Sequence, residues 1–208
     1  MTDSRFGHNR QRSCQTWLLV LLSGLILLTL GKLQAEVILG VEQDSGLSSW
    51  EWQQQGVSLQ LVQRLPDQTR AFFQGRGFSV IEANDIARAC VFQSIFRNDG
   101  ELPMNYDIDQ WQIRHEGKRL PMKTREYWDK VWQKKDTKQA ARIAFHWSLL
   151  PTKQSFQTGD YNWGMSSFGL LPGEVFDLHI VVTIGGKKVI ADIPAIQCAA
   201  DNTAESDP

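Results

Sequence analysis

Hydrophobic and polar positions alternate along several separate stretches of this chain, and that period of two predicts strands. Val57–Leu65 alternates and is closed by the turn signal Pro66-Asp67. Cys90–Arg97 is strand-like and runs into Asn98-Asp99-Gly100, and Tyr106–His115 is a further strand closed by Glu116-Gly117. Arg142–Leu150 alternates with Ile143, Phe145, Trp147 and Leu149 on one face, and Pro151 stops it. Phe176–Ile184 and Val189–Cys198 flank Gly185-Gly186 as a hairpin, with Pro194 marking an edge or a bend in the second arm. Arg70–Phe78, broken by Gly75 and Gly77, reads as a short strand or irregular segment, and residues 152–173 read as a long connection.

The helical period of 3.6 is clearest over 124–135. Thr124 can cap the start, and Tyr127, Trp128, Val131 and Trp132 share one face while charged residues fill the other. Residues 82–89 add one or two helical turns. Short strands at this spacing around one inserted amphipathic helix predict a mainly β chain, folded as an antiparallel β-sandwich. The pattern resembles small extracytoplasmic immunoglobulin-like and cupredoxin-like domains. That resemblance implies a fold and no activity.

The pattern changes character at the N-terminus. Arg5, Arg10 and Arg12 precede the uncharged run Trp17–Leu30, and Leu33-Gln34-Ala35 places a small residue where a signal peptidase would cut. This is the layout of a secretory signal peptide over 1–35, and Lys32 closes the run short of the roughly 20 apolar residues a spanning helix needs. An uncleaved anchor would tether the same domain outside the cytosol, and membrane contact is expected in that case alone. A single domain is expected over 36–198, with a disordered polar tail over 199–208. The expected address is periplasmic or secreted.

That address changes how charge and cysteine are read. Taking Arg5, Arg10, Arg12, Lys32 and Asp3 away from 22 basic and 23 acidic residues leaves 18 and 22, a net charge near −4. Such a chain has no basic stripe for a phosphate backbone, so nucleic acid is not an expected partner. Cys14 leaves with the leader, and Cys90 and Cys198 remain as an even pair in an oxidising compartment, where a disulfide is the default.

Candidate chemistry centres on residues 159–169, Gly-Asp-Tyr-Asn-Trp-Gly-Met-Ser-Ser-Phe-Gly, read as a loop. Tyr161, Trp163, Met165 and Phe168 on a loop must either tuck into the core or line a site. Arg70 and Arg76 flank Phe72-Phe73, a combination suited to a protein hot spot or a planar anion. His146, His179 and Met165 would offer imidazole and thioether ligands for copper if their segments converge. GxSxG, HExxH and P-loop motifs are missing, and no catalytic role is expected. The expected function is that of an exported accessory protein of the cell envelope, recognising an envelope protein through 159–169. Copper binding or delivery, and binding of a small ligand or carbohydrate, are the alternatives.

Overall fold

The computed structural model describes residues 35–43 and 45–202. The expected leader falls, but for Ala35, outside the described residues.

The described chain is mainly β, built as two antiparallel sheets with four helices. Strands β1 (Glu36–Val41), β2 (Ser48–Gln54), β3 (Val57–Gln63), β4 (Val91–Asn98) and β9 (Tyr161–Ser167) form the first sheet in that order. The second sheet holds β7 (Lys118–Pro121), β6 (Gln112–His115), β10 (Val175–Ile184), β5 (Met104–Asp107) and β8 (Lys153–Phe156), and β11 (Lys187–Gln197) pairs with β10. The alternation read from the sequence puts Trp50, Trp52, Leu59, Leu61, Phe92 and Phe96 of the first sheet on one inner face. They join Tyr106, Trp111, Ile113, Leu178 and Ile180 of the second in a shared core. This is the sandwich expected from the strand pattern.

Cys90 precedes β4 in one sheet and Cys198 follows β11 in the other. Their Cα atoms lie 5.2 Å apart and the sulfurs are bonded, so the disulfide staples the two sheets. Tyr106–His115, expected as one strand, is divided into two that both pair with β10. A 3₁₀ turn at Ile108–Gln110 separates β5 from β6, and the Trp111 indole N–H donates to the Val181 carbonyl at 2.9 Å. The hairpin at Gly185-Gly186 is present, and the register of β10 against β11 shifts between Phe176 and Leu178, close to Pro194.

Four helices stand where the sequence predicts the helix over 124–135 and one or two turns over 82–89. Arg70–Phe78 does not extend: α1 spans Pro66–Gln74, with Pro66 opening the helix rather than a turn, and Thr69 and Phe73 buried one turn apart. The second helix, α2 (Val80–Ala87), carries a capping box between Ser79 and Glu82. The third, α3 (Arg125–Lys134), is the predicted one, capped by Thr124. Arg142–Leu150 is the clearest departure, since α4 spans Gln139–Ser148. Its buried residues Ala141 and Phe145 are four apart and continue to Leu149, a helical spacing hidden beneath an apparent alternation.

The helices assemble a second core on the outer face of the first sheet. Phe73, Phe78, Ile86, Trp128, Trp132 and Phe145 pack there against Val91 of β4 and Met165 of β9. Phe145 is its hub, with ring centroids 5.1 Å from Phe73, 5.6 Å from Trp128 and 5.5 Å from Trp132. The tail is tied down where it begins: Asp201, within the stretch expected to be disordered, pairs with Arg70.

Candidate functional site

Residues 159–169, expected as a loop, are mostly strand. In β9, Tyr161 sits opposite Arg97, Trp163 opposite Ile95 and Met165 opposite Gln93. These side chains share the face turned away from the sandwich core. The helical layer covers one end of that face, so Met165 is buried among the helices, whereas Trp163 is 58% exposed and Tyr161 63%. The Arg97 guanidinium lies 5.1 Å from the centre of the Tyr161 ring. Phe168, just past the strand, turns into the sandwich core, 4.7 Å from Phe176 and 5.3 Å from Phe92. The predicted aromatic set therefore divides: Met165 and Phe168 tuck in, and Tyr161 and Trp163 face out.

The edge of β9 fixes where α4 lies. Leu149 forms a parallel bridge to Met165, and the Leu150 N–H donates to the Met165 carbonyl at 2.9 Å. Leu149 belongs to the helical core and Leu150 to the sandwich core, so the chain crosses this edge between them. Gly164 makes the crossing feasible, because a Cβ there would lie 2.8 Å from the Leu150 nitrogen. With its C-terminus held at β9, α4 turns Ile143 and Trp147, one turn apart, to solvent at 51% and 75% exposure. Sequence reasoning missed this pair because a strand would have sent Trp147 inward beside Phe145. The spacing of Ala141, Phe145 and Leu149 was the signal that could have found it.

Beside Trp147 runs an open groove of about 590 Å³, lined among others by Asp129, Thr137, Arg142, Ile143 and His146. Arg142 pairs with Asp129 at 2.7 Å across it. A second recess of about 410 Å³ lies on the other side of His146, with Arg125, Glu126, Thr152 and Lys153 in its wall. Burial lowers the pKa of Arg125, whose guanidinium donates to the Leu149 carbonyl at 3.0 Å. Burial alone would raise the pKa of Glu126, but its hydrogen bonds, that from Thr152 foremost, outweigh this and lower it. The polar groups along α4 thus close on one another, Ala141 and Phe145 face the helical core, and Ile143 and Trp147 are left to solvent.

The remaining predicted residues lie elsewhere. Arg70 is drawn to Asp201 and Asp67 and donates to Asn84 at 3.0 Å, and the bond to Asp201 raises its pKa. The Arg76 guanidinium covers the Phe72 ring, 3.2 Å from its centre. Both arginines serve the α1–α2 hairpin and are not joined to β9. His179 sits on the outer face of the second sheet between Arg114, at 3.1 Å, and Asp192, at 2.6 Å. Burial opposes ionisation of Asp192, but its bond to His179 and the charge of Arg114 prevail and lower its pKa. Met165 lies on the outer face of the first sheet, so the whole sandwich separates it from His179. His146, His179 and Met165 are therefore not brought together as one ligand set. Among the described residues, no group of three His, Cys, Asp or Glu side chains is placed to hold a metal.

Comparison of the chain with protein-family models, with curated proteins and with solved structures finds no match.

Proposed function

We propose that this domain is an exported, non-catalytic recognition module of the cell envelope, with a protein partner seated on Trp147, Tyr161 and Trp163. One observation carries the reading: three large aromatic side chains stand more than half exposed on adjoining elements, α4 and the edge strand β9. Tryptophan and tyrosine give up much hydrophobic burial when held in water, and they dominate the energetic centres of protein interfaces. Arg97 and the paired Asp129 and Arg142 border the patch, as the polar rim of such an interface does. The leader pattern and the disulfide support an oxidising address, because such bonds persist outside the cytosol.

Relative to residues 159–169, the patch keeps Tyr161 and Trp163 and takes Trp147 and Ile143 from α4, while Met165 and Phe168 are buried and Arg70 and Arg76 lie apart on the α1–α2 hairpin.

Site-specific crosslinking tests this. A photo-reactive residue in place of Trp163 should give one discrete adduct in intact cells, and the same group in place of Lys187 should give none. Adding Trp147→Ala should weaken capture at least about tenfold, the size expected for loss of one interface hot spot. Equal adducts at both positions, or capture unchanged by Trp147→Ala, would overturn the reading.

A further inference from the structure

Natural sheets protect their open edges, and among the described residues β1 lacks such protection. Among the edge strands, β7 carries Lys118, Arg119 and Pro121, and β8 has four residues with Lys153 at its start. In β11, Lys187, Lys188, Asp192 and Pro194 interrupt the edge. The Leu149–Leu150 crossing occupies the edge of β9 at Met165. By contrast β1, Glu-Val-Ile-Leu-Gly-Val, contains no Lys, Arg or Pro, and it exposes Ile38 at 41%, Leu39 at 67% and Val41 at 64%. An apolar strand left open in this way invites a further strand.

The hydrogen-bond register says which backbone groups are offered. β1 pairs with β2 as Gly40↔Ser49 and Ile38↔Glu51, and the Glu42 N–H donates to the Leu47 carbonyl at 2.8 Å in the same register. Hydrogen-bonded and non-bonded pairs alternate along an antiparallel ladder, so Gly40, Ile38 and Glu36 bond to β2. Val37, Leu39 and Val41 therefore turn their N–H and C=O groups outward. The hairpin turn Gln55-Gly56, both at positive φ, agrees, since it makes Gln54 and Val57 a bonded pair and leaves Glu51 to β1.

We infer that β1 pairs antiparallel with β1 of a second copy about a two-fold axis at Leu39, joining the two first sheets into one. That axis sets Leu39 on Leu39 and Val37 on Val41, so every outward backbone group finds its complement and each contact is apolar. A strand so paired is isologous, and the same three residues supply both sides. Glu36 and Glu42 meet as like charges at the two ends, which confines the contact to the apolar stretch. So short an interface falls far below the roughly 1,600 Å² of standard complexes, and the dimer dissociates in the micromolar range. This surface is independent of the aromatic patch proposed above.

Sedimentation velocity, with the chain expressed from its full coding sequence and purified as the cell processes it, tests the pairing. Across the micromolar range the wild type should pass from monomer to dimer. Leu39→Lys and Leu39→Glu, at an exposed position and with unchanged melting, should each weaken self-association at least about tenfold. Mixing the two variants should restore a dimer, because residue 39 meets its own copy across the axis. A wild type that stays monomeric, variants that still self-associate, or a mixture that stays monomeric would each overturn the proposal.

Discussion

Replacing Cys90 and Cys198 together by alanine is expected to destabilise the domain by about 4–5 kcal/mol, the largest loss foreseen for any pair of side chains here. The bond links positions 108 residues apart. In the chain-entropy treatment the stabilisation grows with the logarithm of that separation, because the unfolded chain loses the freedom the crosslink removes. For a domain of this size the midpoint of thermal unfolding should fall by roughly 10–15 °C. The native state also loses its staple between sheets, at the point where β11 ends and Asp201 turns back to Arg70. Chemical denaturation of the oxidised wild type and the double variant measures the effect. A loss under about 1 kcal/mol would mean that the packing of the two sheets sets the stability without it.

Phe145→Ala should cost about 3–5 kcal/mol, the range for truncating a buried aromatic ring. Its ring sits among Phe73, Phe78, Trp128 and Trp132, in a core that also holds Val91 and Met165 of the first sheet. The stacked pair Trp128 and Trp132, 5.0 Å between centroids, would lose an edge contact on each ring. Two positions further on, Trp147→Ala should change stability by less than about 0.5 kcal/mol, because its side chain stands in solvent. The two substitutions thus separate packing from exposure on one helix: the first loosens the element that presents the proposed patch, and the second removes one of its three aromatic groups. Unfolding curves recorded on both variants check the contrast, and comparable losses would place Trp147 in a packed role.

Much of the scaffold was legible in the sequence, for reasons that particular elements make plain. β3, β4 and β10 have one face in the sandwich core, so burial itself writes their alternation. The capping residue Thr124 and the stripe of Trp128 and Trp132 announce α3. The disulfide followed from compartment and parity. What failed lies where local pattern and tertiary packing disagree. In α4, Phe145 faces a core of aromatic rings while its neighbours Ile143 and Trp147 stay in water, so apolar residues fall on both faces and mimic a strand. In α1, Pro66 serves equally as a turn residue and as a first helical residue, and only the buried Thr69 and Phe73 decide between them. Glycines concealed β9: Gly159 sits in a turn before the strand, while Gly164 lies within it to let Leu149 and Leu150 pass.

The proposed surface is half legible in the sequence for the same reason. Tyr161 and Trp163 stand out as large apolar groups in a polar, glycine-rich context, which holds whether the segment is loop or strand. Trp147 was hidden by the wrong period. Met165 and Phe168 are not distinguishable from the exposed pair by sequence proximity, which says nothing about which side of a sheet a residue takes until the strand itself is recognised. His146 and His179 looked alike in the chain, yet one lies on a helix over the first sheet and the other on the outer face of the second.

Oxidative footprinting of Trp147 and Trp163 in intact cells and in the purified protein tests the central claim most directly. Both indoles should be labelled readily in the purified domain, where they stand 75% and 58% exposed, and both should be protected together in the cell by the bound partner. Equal labelling of the two tryptophans in cells and in isolation would show that nothing covers the patch, and would contradict its role in recognition.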